Sequence, residues 1–219
     1  MDQRRVQSQL GVTLVGGGEV DAEILEDALK IAPVLIAADG GADHAIGCGY
    51  VPETVIGDLD SISAGARERI GSENIIEAID QDKTDFEKSV ALIEAPLILG
   101  VGFFGGRLDH SLAALSALIQ VPEKLVVLIG AEDIVFKAPS EVVLDLALGS
   151  RFSVFPFAEM RAKSEGLEWP LDPHVLTPMG RIGTSNRVTG TVRLDFDRPG
   201  AVLLTPRAGL SAVVAALIG

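Results

Sequence analysis

The chain changes rhythm part-way along its length, and that change constrains the fold more than any single residue does. In the first part, short apolar runs alternate with helical patterns. Val12 to Val15, Val34 to Ala37, Thr54 to Ile56, Leu97 to Val101 and Leu125 to Ile129 read as strands, and Asp21 to Ile31, Ala42 to Gly47, Ala64 to Ile70, Asp85 to Ile93 and Leu108 to Ile119 read as helices. Runs that are continuously apolar suit strands buried on both faces. Alternation with helices predicts a mostly parallel sheet covered on both sides, in which ligands bind beyond the carboxyl ends of the strands. From about Ile134 the pattern becomes short strands, Phe152 to Phe157, Arg193 to Phe196 and Ala201 to Thr205, split by Gly, Pro and polar clusters, with one weak helix near Gly209 to Leu217. The expectation is an α/β domain over 1–135 and a smaller all-β, sandwich-like domain over 136–219, with no internal repeat.

Composition narrows the partners. The 219 residues carry 18 Lys and Arg against 31 Asp and Glu, a formal charge of −13. That balance disfavours a nucleic-acid surface or an anionic membrane as partner, so any anionic substrate needs a local concentration of cations. A single cysteine, Cys48, permits no intrachain disulfide and fits a reducing compartment. The first ten residues are polar, unlike a signal peptide, which predicts a soluble cytoplasmic protein.

The residues able to carry chemistry follow the predicted strands. After Thr54 to Ile56 comes Gly57-Asp58-Leu59-Asp60-Ser61. If the backbone stays extended there, Asp58 and Asp60 point the same way while Leu59 turns into the core, and two convergent carboxylates suit a hard divalent cation such as Mg²⁺; the same residues are also ordinary turn formers. Gly16-Gly17-Gly18 and Asp39-Gly40-Gly41 stand at strand-to-helix turns, where backbone N–H groups approach a phosphate or simply close a tight turn. Thr84 and Glu87 have capping-box spacing. Asp85 and Lys88, three apart, either share a metal-bound phosphate or form a solvated pair. After Leu97 to Val101 comes Gly105-Gly106-Arg107-Leu108-Asp109-His110, in which Arg107 beside two glycines suits a phosphate clamp. The helix that follows is expected to bury Leu108, Leu112, Leu115 and Ile119. No nucleophile elbow and no Cys–His pair accompany these residues, which argues against covalent acyl chemistry.

At these residues the chain resembles the thiamine pyrophosphokinase family, whose pattern of Asp-Gly-Gly-Ala, Gly-Asp-Phe-Asp-Ser, Gln-Asp-x-Thr-Asp-Phe-x-Lys and Gly-Gly-Arg-x-Asp-His recurs in order at Asp39 to Ala42, Gly57 to Ser61, Gln81 to Lys88 and Gly105 to His110. Leu59 replaces the family's Phe. Its second-domain segments recur as Gly166-Leu167-Glu168-Trp169-Pro170-Leu171 and Gly183-Thr184-Ser185-Asn186, with Gly183 where the family often has Ser and Ala114 where an Asn commonly follows the Asp-His pair. The resemblance implies transfer of pyrophosphate from ATP to the hydroxyl of thiamine. It also implies Mg²⁺ on Asp58, Asp60 and Asp85 with Asp82 as a weaker candidate, and phosphates steadied by Lys88 and Arg107. Asp109 and His110 would position ligand or base, and Gly17, Gly18, Asp39, Gly40, Gly41, Gln81, Thr84, Gly106 and Arg107 would line the ATP. Trp169 would stack on thiamine with Ser185 and Asn186 on its pyrimidine edge, between the subunits of a homodimer. Two rivals remain: a pyrophosphokinase acting on a pterin-type alcohol, and a non-catalytic nucleotide-binding module.

Overall fold

The computed structural model describes residues 4–80, 82–121 and 124–219, so the expectation for Gln81 lies outside the described residues. The chain divides into two compact units, Met1–Ala131 and Glu132–Gly219. In the first, the elements run β1 (Val6–Gln7), β2 (Val12–Val15), α1 (Ala22–Ile31), β3 (Val34–Ala38), α2 (Gly41–Gly47), β4 (Thr54–Gly57), α3 (Ala64–Ile70), β5 (Ile75–Glu77), α4 (Asp85–Leu92), β6 (Ile93–Glu94), β7 (Ile98–Val101), α5 (Leu108–Gln120) and β8 (Val126–Ile129). The sheet has the order β8-β7-β2-β3-β4-β5, and its pairings are parallel. Every residue of β2, β4, β7 and β8 is buried. Side chains alternate between faces, so that pattern requires cover on both.

The order places a switch point at β2. From there the chain builds β3, β4 and β5 outward on one side, then crosses to β7 and β8 on the other. Loops leaving β2 and β7 therefore part at their carboxyl ends and open a crevice between them. Local chemistry sets where the helices begin. Asp21 Oδ1 accepts the N–H groups of Glu23 (2.8 Å) and Ile24 (3.3 Å) to cap α1. The expected capping box opens α4, with Thr84 Oγ1 accepting the Glu87 N–H at 3.3 Å and Glu87 Oε2 accepting the Thr84 N–H at 2.9 Å. At the other end of α4, the Lys124 ammonium donates to the carbonyls of Val90 (2.8 Å) and Ile93 (2.6 Å), satisfying groups that the helix leaves open. Gly41 starts α2 against the sheet: a Cβ there would lie 2.1 Å from the Val15 carbonyl oxygen, so any other residue pushes the helix off β2.

Helix α5 corrects an expectation. It buries Ala114, Ala117 and Leu118, whereas Leu108 and Leu112 are exposed. Leucine spacing points to the wrong face because two alanines, Ala114 and Ala117, carry most of the buried stripe, which a count of large apolar side chains does not detect.

The second unit contains β9 (Asp133–Lys137), β10 (Glu141–Leu144), β11 (Arg151–Pro156), β12 (Met160–Leu167), β13 (Val175–Leu176), β14 (Gly183–Phe196), β15 (Ala201–Pro206) and α6 (Leu210–Ile218). Its antiparallel order is β13-β12-β14-β11-β15-β9, with β10 also paired to β14. The 14-residue β14 organises the unit. Its first half pairs with β11, and its second half pairs with β10 and β12.

Candidate active site

A cleft of about 780 Å³ opens at the carboxyl ends of the parallel strands. It is lined by the loop after β2 (Gly16 to Glu19), by Asp39 and Gly40 after β3, by Ser61 to Ser63 after β4, by Thr84 to Phe86 at the start of α4, and by the loop after β7 as far as Arg107. Ala38, Asp43, His44, His110, Ala113 and Ala114 complete it. The loops after β2 and β7 are tied together where they part, the Gly18 N–H donating to the Gly102 carbonyl at 2.8 Å. Of the expected ATP-lining residues, Gly17, Gly18, Asp39, Gly40, Thr84, Gly106 and Arg107 line the cleft. Gly41 is buried beneath it.

Three carboxylates cluster beside this cleft. Asp39, Asp58 and Asp60 each present an oxygen within 4.8 Å of the others. The reason for their convergence differs from strand alternation. The strand ends at Gly57, and Leu59 takes a left-handed backbone, φ +68°. A branched, bulky residue adopts that conformation at a cost of about 1–2 kcal/mol. The turn is held from two sides: the Leu59 side chain packs against a buried cluster that includes Ile62, Ala66 and Ile70, and the Arg67 guanidinium donates to its carbonyl oxygen. Leu59 thus keeps its inward role by a turn, and that turn folds Asp58 and Asp60 back toward Asp39.

Asp39 is the member that spacing alone did not place with the other two. Only 2% exposed, it has one oxygen, Oδ2, accepting the Ser61 N–H at 3.1 Å, while Oδ1 is buried without a hydrogen-bond partner. Burial pushes its carboxyl above the ordinary value; the Ser61 hydrogen bond opposes this and the nearby charge of Asp85 adds to it. A buried carboxylate with one orphaned oxygen, clustered with two more carboxylates, is a donor set that suits a hard cation.

Lys88 and Asp85 settle the choice between a solvated pair and something more. The Lys88 side chain is 4% exposed, and its Nζ donates to Asp58 Oδ2 (2.8 Å) and Asp85 Oδ1 (3.1 Å). Burial works to lower the Lys88 ammonium, both hydrogen bonds work to raise it, and the net shift is upward. Its hydrogen bond holds Asp58 below the usual carboxylate range. The ammonium therefore ties the loop after β4 to the first turn of α4.

The basic residue at the mouth behaves differently. Arg107 is 71% exposed and paired with Asp109 through Nη2 to Oδ2 at 2.6 Å and Nε to Oδ1 at 3.2 Å. The pair raises the guanidinium and lowers the carboxyl. Asp109 and Asp82 are exposed and do not line the cleft. Asp43, which also lines the cleft, takes both the Ser63 N–H (2.9 Å) and the Ser63 hydroxyl (2.5 Å) on its carboxylate and so joins α2 to the cap of α3.

In the second unit, Trp169 is half exposed. It lies just past a bulge in β12: the register with β14 shifts between Glu165 and Leu167, where Gly166 has φ +74° and a Cβ would meet the Thr191 carbonyl oxygen at 2.2 Å. Asn186 is buried and hydrogen-bonded to the main chain of Trp169. Ser185 is exposed in a second bulge, left-handed at φ +61°, with its N–H turned to Ser153 Oγ at 3.0 Å.

A parallel α/β sheet with glycine loops and carboxylates gathered at its switch point, followed by a β-rich unit with a presented indole, defines a class of two-unit enzymes acting on phosphorylated substrates. Comparison sharpens this to a family. Residues 25–129 match the thiamin pyrophosphokinase catalytic domain, and residues 140–200 match the thiamin pyrophosphokinase vitamin B1 binding domain. The chain belongs to the thiamin pyrophosphokinase family. It is 29% identical over 210 residues to thiamine pyrophosphokinase 1 of Oryza sativa subsp. japonica, covering 77% of this chain and 80% of that one. With thiamine pyrophosphokinase 1 of Arabidopsis thaliana it is 29% identical over 203 residues, 76% of each chain. The fold matches the thiamine pyrophosphokinase of Bacillus subtilis at a TM-score of 0.71 (20% identity, 90% of this chain and 98% of that one). It matches that of Candida albicans at 0.73 (17% identity, 92% of each).

Proposed function

We propose that this chain transfers the pyrophosphoryl group of ATP to the hydroxyl of thiamine, giving thiamine diphosphate and AMP. The observation that carries the reading is the pairing of a catalytic-domain match with the carboxylate cluster beside the cleft of that same unit. The match to a vitamin B1 binding domain favours thiamine over a pterin-type alcohol. Carboxylates clustered beside a cleft that Arg107 and His110 also line favour turnover over mere nucleotide binding.

Transfers of this kind rest on positioning and charge neutralisation more than on covalent help. Asp39, Asp58 and Asp60, with Asp85 at the cleft wall, would hold Mg²⁺, which when bound offsets the negative charge of the phosphates. Gly17, Gly18 and Gly40 line the cleft where a triphosphate would lie and let it approach the main chain closely, the Gly18 N–H itself being committed to the Gly102 carbonyl. Lys88 holds Asp58 and Asp85 in place rather than reaching the cleft itself. Arg107 reaches phosphate by exchanging its Asp109 partner for the ligand, a low-cost exchange for an exposed pair. His110 lines the cleft and is available to position the attacking hydroxyl or accept its proton. Trp169 would take the flat cationic thiamine by stacking.

We read the active assembly as a homodimer in which Trp169 and Ser185 serve the partner's cleft; the family resemblance and the exposure of Trp169, Met179 and Ile182 support this. Among the described residues no helix is long and apolar enough to cross a membrane, and the lone cysteine supports a cytoplasmic site of action. The deciding experiment incubates the protein with ATP, Mg²⁺ and thiamine and resolves the products. AMP together with thiamine diphosphate is expected; AMP formed only with another alcohol, or binding without turnover, overturns the reading. For the dimer, mixing Asp60→Asn and Trp169→Ala subunits at thiamine well below the wild-type KM is expected to give more activity than the two variants give separately, and no gain places both half-sites in one chain.

A further inference from the structure

Trp169 is the chain's single tryptophan, half exposed, yet it is held far more firmly than an exposed loop residue needs to be. Its N–H donates to Asn186 Oδ1 at 3.1 Å, and its carbonyl accepts from Asn186 Nδ2 at 2.6 Å. Asn186 Oδ1 also accepts the Arg187 N–H at 2.9 Å. The amide is 5% exposed, so its oxygen is fully used by main chain and its nitrogen is turned inward. From the adjacent residue, the Arg187 guanidinium carbon lies 5.8 Å from the centre of the indole ring. Arg187 is tied in turn to Glu168, Nε to Oε2 at 2.7 Å, and the Glu168 N–H donates to the Arg187 carbonyl at 2.9 Å. Residues 168–169 and 186–187 are thus joined by main chain, amide, ion pair and cation–π contact together.

These contacts have a common effect. A stacking residue that is already oriented loses little freedom when its ligand arrives. The guanidinium covers one part of the ring, and a second cation approaching there would meet like charge; Glu168 offsets that charge and leaves the exposed part of the ring usable by a cationic ligand. We propose that Asn186, Arg187 and Glu168 are positioning residues that hold Trp169 as a preset stacking platform, Asn186 acting through the indole and not by touching the ligand. The proposal rests on the thiamine reading of the preceding section.

Because the chain has one tryptophan, its emission reports the platform directly. Arg187→Ala is expected to make the emission of ligand-free protein more accessible to a neutral quencher and to raise the thiamine KM by about threefold to tenfold, with kcat within about twofold. Arg187→Lys recovers part of both. Glu168→Gln, which loosens the guanidinium it anchors, is expected to move both readouts in the same direction as Arg187→Ala and by less. Asn186→Ala gives the same pattern as Arg187→Ala and a larger KM; should it fail to fold, the exposed Arg187 variants carry the test. A raised KM in the Asn186 or Arg187 variants with unchanged ligand-free emission means those side chains touch the ligand, and overturns the proposal. Altered emission with wild-type KM overturns it as well. Wild-type protein that forms no AMP removes the thiamine reading and the proposal with it, whereas active wild type with indifferent variants removes the proposal alone.

Discussion

The carboxylates of the first unit and the indole of the second are both held in place, but by opposite means. Asp58 and Asp85 take their positions from a buried ammonium, and Asp39 from burial that leaves one of its oxygens unpaired. Trp169 is held at the surface by hydrogen bonds and an exposed ion pair, with its ring left half open. The first arrangement stores unsatisfied charge that a cation relieves, and the second offers an unfilled apolar face to a flat ligand. Under the proposed function, one site would be completed by neutralisation and the other by stacking.

That contrast can be broken experimentally. The largest effect is expected from Asp60→Asn: turnover falls by about 10³-fold or more while thermal unfolding stays cooperative and the tryptophan emission is unchanged, since charge neutralisation is removed in one unit alone. Retained activity would take Asp60 out of the site. Next is Lys88→Met. Removing one partner of a buried pair costs about 3–5 kcal/mol, and here about 1–3 kcal/mol is expected because Asp58 and Asp85 keep part of their hydration; denaturant unfolding measures it.

The pH dependence of metal-free protein tests the same pair. Asp58 is lowered in the folded state, so its contribution is complete above about pH 4 and is lost as pH falls through its depressed value. Lys88 is raised, so its contribution is complete below about pH 10 and is lost as pH rises through its raised value. Lys88→Met should flatten both flanks of the stability profile, and a profile identical to wild type would mean the pair contributes nothing. Within α5, Leu118→Ala is expected to cost about 2–5 kcal/mol, and Leu112→Gln less than about 0.5 kcal/mol. The smallest effect belongs to Arg107→Gln, which should leave the melting temperature unmoved because the Asp109 pair is solvated, and should raise the ATP KM if the guanidinium meets phosphate.

How far the sequence discloses this molecule depends on what each element buries. The parallel strands were readable because they are apolar on both faces, and Val12–Val15 and Ala64–Ile70 stand where expected. Strand β12 was not readable: Lys163 and Glu165 face solvent and Gly166 interrupts it, so alternation is masked by a bulge. Only the last four residues of β14 were visible for a similar reason, its first half being bent at Ser185. In the site, Gly57-Asp58-Leu59-Asp60 announced its carboxylates, yet Asp39 belongs with them through a parallel neighbour and not through spacing. The burial of Lys88 depends on what α4 packs against, which no local pattern encodes. Asn186 read as a ligand contact because its amide looks free in one dimension; folding commits that amide to Trp169.

The left-handed turn at Leu59 also makes the acidic cluster depend on α3. A branched side chain leaves that conformation unless something holds it, and what holds it here is the packed floor formed by Ile62, Ala66 and Ile70 together with Arg67 of α3. The convergence of Asp58 and Asp60 on Asp39 is therefore a property of the packed floor as much as of the acidic residues: a change that loosens α3 from Leu59 disturbs the cluster without touching a carboxylate.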